Sequence, residues 1–353
     1  MSSTGSIVGT AAGVGAGIAV AGFAAWLILH APTAHADGLI TLAQQAKPDA
    51  RNGALDQATA AATKAANDFS KLIKSDPWRY GHIIAASVCV LGLLFADVVR
   101  PGSLERAGKR DVSTFGPHIW FLCGVLVTGM QMVAGGFNTM LPEKWLGDAD
   151  SIQGDAVKST VIYAVSILTA YLLAKLISAS AKGAGLAFTA RSTAWGLMAF
   201  VLAWPIVQAS SFAFLAMNTK FKGPEPGSNI AHDTLAKLVE HKNDPWAWLL
   251  AGLAVIAAPV VEEIVYRGFL QSSILRMTEK PWISILVTSA LFASVHMVGK
   301  HPVPWFAAAT VGVLGMCMGI AYERTKEIGV PITMHVLYNL TNVILAMYTS
   351  KGA

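Results

Sequence analysis

Nine apolar runs dominate the chain, near residues 6–30, 80–99, 117–137, 158–180, 194–216, 246–275, 281–298, 303–322 and 328–348. Each approaches or exceeds the roughly 20 residues that carry an α-helix across a bilayer. Lipid offers no partner for backbone N–H and C=O groups, so runs of this length must satisfy them internally, as helices. The expected fold is therefore all-α, a polytopic transmembrane helical bundle of about nine helices. Composition agrees: only 13% of the 353 residues are charged and 54% are hydrophobic, whereas soluble domains carry about 25% charged residues. The net charge of +5 comes from cations scattered between apolar runs. Such cations orient spans, and no nucleic acid is expected as a partner. The expected setting is the lipid bilayer, as an integral, multi-pass protein of the bacterial cytoplasmic membrane.

Loop charges predict an orientation. Arg100, Arg106, Lys109 and Arg110 follow the second run, Lys182 and Arg191 the fourth, Arg276 and Lys280 the sixth, and Arg324 and Lys326 the eighth. They alternate with an acidic loop carrying Glu143, Asp148, Asp150 and Asp155. The pattern predicts four cytoplasmic basic loops, an N-terminus inside and a C-terminus outside.

The first run ends in Ala-His-Ala before Asp37, like a small-residue cleavage site, but no Lys or Arg precedes it and the apolar stretch is long for a signal peptide. An uncleaved anchor is the favoured reading. Gly5, Gly9, Gly13, Gly17 and Ala21 recur every four residues, which gives one smooth helix face suited to self-association. Leu55, Ala58, Ala62, Ala65 and Phe69 recur at helical spacing, so 37–79 is read as a helical segment outside the membrane. A similar amphipathic helix is expected within 217–245, with His232 and His241 solvated. Cys89, Cys123 and Cys317 each sit in an apolar run without a Cys-x-x-Cys partner, and are read as buried small hydrophobes.

Against this background the stretch "APVVEEIVYRGFL", 258–270, stands out. An ionisable group at the centre of a spanning helix costs at least ~2.5–3.5 kcal/mol on insertion scales, so it has a partner or a task. Glu263 and Arg267 are helical i,i+4 neighbours and can pair. Glu262 points about 100° away from Glu263 and faces elsewhere. A carboxylate so placed suits general-base work, and a structural ion pair is the competing reading. "FASVH" ends in His296, and "HVLYN" sets His335 and Asn339 on one helix face. These groups can bind water and hold an oxyanion, or can simply bond neighbouring helices. Asp97, near Arg100, needs no more than an interfacial ion pair.

Taken together, a carboxylate base, a histidine and two oxyanion donors suffice for attack of water on an amide. No span carries a Ser or Cys beside a base, so no acyl-enzyme is suggested. HExxH is absent, and no metal or other cofactor is expected. A transporter or proton relay would use the same residue types, but no internal repeat or paired broken spans are visible. A catalytically silent immunity-type scaffold is the third reading.

The motifs EExxxR, FxxxH and HxxxN, in this order on separate apolar segments, resemble those of the CAAX protease and bacteriocin-processing (Abi) family of glutamic intramembrane proteases. The resemblance covers about 246–348. It implies a metal-independent endopeptidase acting on a membrane-associated, in some members prenylated, substrate. It also implies that Glu262 activates water with help from His296, that His335 and Asn339 stabilise the oxyanion, and that Glu263 and Arg267 support the site. Three regions are expected: 1–79, a membrane anchor plus an extracytoplasmic helical segment; 80–245, accessory transmembrane helices; and 246–353, the catalytic core. Straight helices would leave the histidines at different depths, with His296 ~20 Å beyond Trp282 at about 1.5 Å per residue and His335 close to the start of its span.

Overall fold

The computed structural model describes residues 71, 74–147, 151–222, 233–298 and 302–349. The expected N-terminal anchor, its Gly-rich face, most of 37–79 and His232 lie outside the described residues. The chain divides into two compact units, Met1–Val90 and Leu91–Ala353. The long helices are α1 (Pro77–Phe95), α2 (Pro117–Phe137), α3 (Ile152–Ser180), α4 (Ala190–Lys222), α5 (Pro245–Thr278), α6 (Pro281–Val295), α7 (Trp305–Thr325) and α8 (Gly329–Thr349). No strand occurs among the described residues.

Seven of these helices are long and apolar enough to cross a membrane, which makes this an integral, multi-pass protein. α6 is apolar but has only 15 residues, about 22 Å, less than the ~30 Å hydrocarbon core. The first expected run, 6–30, is outside the described residues, so a count of nine is not reached.

Local signals set the helix ends. The side chain of Ser151 caps α3 by accepting the Gly154 N–H at 3.1 Å, and Asp244 caps α5 by accepting the Trp246 N–H at 2.9 Å; such caps satisfy otherwise orphaned donors. Proline opens α2, α5 and α6, where its missing N–H costs nothing. Glu279 ends α5 and Lys326 ends α7, both left-handed, with φ of 55° and 59°. A short helix, Asp233–Glu240, appears within the 217–245 loop as expected. His241 beside it is exposed, its Nδ1 near the Lys237 carbonyl at 3.2 Å. Lys237 pairs with Asp155 at 2.5 Å, which ties this helix to the start of α3.

α5 is not a uniform α-helix. Leu253–Ala257 and Ile264–Leu270 are π-helical, separated by an α-helical Ala258–Glu263. A π turn bonds i to i+5, widens the helix and re-aims its side chains. Both π stretches flank the glutamate pair.

Three of the four loops expected on one side meet at one end of the second unit. The Asp111 N–H bonds the Gly183 carbonyl at 3.1 Å, and the Ile328 N–H bonds the Gly185 carbonyl at 2.8 Å. Lys326 Nζ reaches the Ala107 carbonyl at 3.3 Å. Arg110 is the exception among the orienting cations. It is buried and donates to Glu323 Oε1 at 2.7 Å and 3.1 Å, so it is a structural cation rather than a solvated loop charge. Asp97 is paired as expected, but with Arg106 through two bonds of 2.6 Å and 2.9 Å, rather than with Arg100. Cys123 is buried and Cys89 and Cys317 are partly buried; all three are free thiols.

Candidate active site

The site is built outward from α5. Glu263 and Arg267 are sealed at 0% side-chain exposure, with Oε2 and Nε 3.1 Å apart. The two atoms form no directed hydrogen bond, so charge holds this pair rather than geometry. Arg267 Nη2 donates to the Gly315 carbonyl on α7 at 3.2 Å, and its guanidinium lies 4.5 Å over the Phe292 ring. A Cβ at Gly315 would approach Arg267 Nη2 to 3.1 Å and Ser289 to 3.3 Å, so this position needs glycine to let the guanidinium close on the backbone.

The other oxygen of Glu263 is also occupied. His335 Nδ1 lies 2.9 Å from Oε1. A carboxylate only accepts, so Nδ1 carries the proton and Glu263 fixes the ring's tautomer. His335 Nε2 then faces Glu262, at 3.9 Å from its Oε2. In the neutral ring Nε2 is an acceptor, and it donates only as imidazolium. The sequence reading paired Glu263 with Arg267 alone; the structure adds His335, 72 residues away, as its second partner. No spacing rule signals such a contact.

Glu262 differs from its neighbour. Its side chain is 30% exposed and lines a cavity of about 280 Å³. The wall also comprises Val261, Val265 and Tyr266 of α5, Val295 and His296 at the end of α6, Thr128 and Gln131 of α2, and Tyr163 of α3. His296 Nδ1 donates to the Phe292 carbonyl at 2.7 Å, because a carbonyl can only accept; its Nε2 is left as the ring's second polar atom. Phe292 organises this corner. Its ring contacts Tyr266, His296 and His335 at centroid distances of 5.1, 4.8 and 5.7 Å.

The two histidines therefore flank one ring, despite the depths expected from straight helices. The start of α8 explains this. Ile328, Val330, Ile332 and Met334 are all buried, so α8 begins inside the protein rather than at its rim. A residue two turns in is already beside the core of the site.

Among the described residues, then, the structure brings Glu262, Glu263, Arg267 and His335 into contact, and Glu262 and His296 into one cavity wall. His335 and Asn339 do not form part of that wall. Asn339 Nδ2 donates to the Ala254 carbonyl at 2.9 Å, within the first π stretch, where the altered ladder leaves carbonyls to be satisfied. No three His, Cys, Asp or Glu side chains are grouped to hold a metal ion among the described residues.

Sequence reading missed the share of the earlier helices. Thr128, Gln131 and Tyr163 enter the cavity from α2 and α3, and α4 packs along α7 and α8. A Cβ at Gly196 of α4 would fall 2.5 Å from Thr333 Cβ and 2.9 Å from the Val330 carbonyl, so the helices cross at glycine. The available signal was Gln131, a polar side chain in mid-span.

The chain is thus a polytopic helical protein with paired glutamates, one sealed and one open to a cavity between its long apolar helices. Residues 244–341 match the Rce1-like family of type II CAAX prenyl endopeptidases, which bears out the resemblance carried by the three motifs. A protein of Bacillus subtilis (strain 168) described as "Putative membrane peptidase YdiL" is 29% identical over 99 residues. That alignment covers 28% of this chain and 38% of the relative. No solved structure matches the chain.

Proposed function

We propose that this protein is an intramembrane endopeptidase in which Glu262 activates water to hydrolyse a peptide bond of a membrane-associated substrate. The observation that carries the reading is the divided fate of the glutamate pair. Glu263 is sealed between Arg267 and His335, while Glu262 opens into a cavity it shares with His296. A structural pair would have no reason to leave one carboxylate open at membrane depth, where an unpartnered charge is costly.

In this reading water sits between the Glu262 carboxylate and His296 Nε2. Glu262 removes one proton as the water oxygen bonds to the scissile carbonyl carbon. The C–N bond then breaks, and the proton held by Glu262 passes to the leaving nitrogen. Negative charge that develops on the carbonyl oxygen is met by His335 Nε2–H, with the ring as imidazolium between Glu262 and Glu263, and by the second Nδ2 hydrogen of Asn339. Arg267 and Phe292 hold Glu263 and the two rings in place. No step calls for a metal ion. Residues 246–353 act as the catalytic core, and α2–α4 close it. The bacterial cytoplasmic membrane, with the basic loops inward, is the setting, and CAAX-type prenylated tails are the first substrates to try.

The test uses the full chain in liposomes of phosphatidylethanolamine and phosphatidylglycerol. It presents a farnesylated CAAX peptide and a set of unprenylated membrane peptides, with products identified by mass spectrometry. Wild type is expected to cleave a member of the set. Glu262→Gln should slow that cleavage by about 10³-fold, within the range for a general base. Equal cleavage by the variant would overturn the assignment, and Glu262-dependent solute or proton flux without cleavage would replace it with a carrier.

A further inference from the structure

Besides Glu262 and His296 the cavity wall carries four uncharged polar side chains, Thr128, Gln131, Tyr163 and Tyr266, and among them Gln131 is the one amide. Gln131 stands on α2, on the face that packs against the second π stretch of α5. Along this face Trp120, Gly124 and Val127 are buried, and Thr128 and Gln131 emerge into the cavity. The Thr128 hydroxyl is spent internally, donating to the Gly124 carbonyl at 3.1 Å. Gln271 of α5 is spent in the same way, its Nε2 donating to Glu323 Oε1 at 2.8 Å. Among the described residues the Gln131 amide has no such bond.

Gln131 is half-buried, and its amide is not sealed from the cavity. Water can satisfy it while the cavity is empty. Its chemistry is also that of a peptide bond: one acceptor and an N–H donor, in the same plane. Glutamine matches a peptide group regardless of the side chains beside it, unlike a charged residue, which would select charge. It faces the same space as Glu262 and His296.

We infer that Gln131 binds the substrate, hydrogen-bonding a main-chain amide of the peptide near the scissile bond. The inference rests on the peptidase reading above and extends it to a helix outside the matched segment. The ligand class is an extended peptide main chain, with the lipid anchor left in the bilayer.

The experiment measures KM and kcat of the full-length protein in the same liposomes, on whichever peptide wild type cleaves in a Glu262-dependent way. Gln131→Leu preserves volume and helix propensity, and Gln131→Asn keeps the amide one methylene shorter. Gln131→Leu should raise KM about tenfold, the worth of one well-made hydrogen bond to a desolvated group, with kcat and thermal melting unchanged. Gln131→Asn should recover part of the loss. An amide-to-ester series through the peptide adds a readout that packing would not move. One ester position should weaken binding to wild type and leave Gln131→Leu indifferent, since the bond is already gone. An unchanged KM, or losses from ester and variant that multiply at every position, would overturn the inference and leave the peptidase reading intact. If no peptide is cleaved in a Glu262-dependent way, the peptidase reading fails and this one with it.

Discussion

Among the described residues two arginine–glutamate pairs are buried, and one of them is linked, through His335, to a residue that lines the cavity. Arg110 and Glu323 lie at the end where the basic loops meet. Arg110 donates to Glu323 Oε1, to the Ala184 carbonyl and to Ser272 Oγ, the last two at 2.9 Å, and lies 4.0 Å from the Tyr322 ring centre. Gln271 adds a third donor to Glu323 Oε1. Every contact is internal, and the pair joins a loop, α5 and α7. Arg267 and Glu263 are as deeply buried, but their chain of contacts runs through His335 to Glu262, which is open. Burial of charge is common to both. What separates them is whether the chain ends in a group with a free face.

That comparison breaks if the two networks respond alike. The largest expected effect is on turnover: Glu262→Gln should lower kcat by about 10³-fold while the half-life of the folded protein at elevated temperature stays the same or lengthens. Arg110→Met should do the reverse. It leaves Glu323 buried without its cation, at a cost of about 3–5 kcal/mol. That appears as a much shorter half-life, with kcat per folded molecule unchanged. Adding Glu323→Leu to Arg110→Met should restore most of the stability, since an apolar pair of similar volume replaces the ions. Loss of kcat in the repaired double variant would show the second network to be part of the catalytic machinery.

A smaller effect sharpens the contrast within one residue type. Gly315→Ala and Gly196→Ala both insert a methyl group into a tight crossing and should each cost about 1–3 kcal/mol. Only Gly315→Ala presses on Arg267. Turnover should therefore fall with Gly315→Ala and hold with Gly196→Ala, measured at a temperature where both are folded.

The helices and the three motifs were legible because each depends on short-range pattern: apolar runs of bilayer length, and polar groups three or four residues apart within them. The links between motifs were not. Glu263 meets His335 across 72 residues and Arg110 meets Glu323 across 213. Arg110 therefore read as one more orienting loop charge. The π stretches have no sequence signature, although they re-aim the glutamates and expose the carbonyl that Asn339 caps. The short α6 and the buried start of α8 were equally hidden, and the two histidines meet on either side of Phe292 all the same. Gln131 was visible as a polar residue in mid-span, but nothing local says which way its face of α2 turns.

An exposed ion pair tests the same idea from the solvent side. Asp97 and Arg106 are 2.6 Å apart with side chains 40% and 56% exposed, so neither pays much desolvation and water screens both. The hydrogen bond from Arg106 still lowers the Asp97 pKa below its ordinary value, and the charge of Arg106 adds to it. A depressed carboxylate stabilises the fold where it is ionised in both states. That contribution is present above the unfolded pKa of about 3.9 and fades as pH falls through the lower folded value. Asp97→Asn should therefore shorten the thermal half-life slightly at neutral pH, more at low salt than at high, and not at all in acid below the folded pKa. The same titration on Arg110→Met should leave a deficit that salt does not touch, because no solvent reaches that pair. Equal salt sensitivity in the two variants would mean that the Arg110 network is open to water, and the division between closed and open networks would fall.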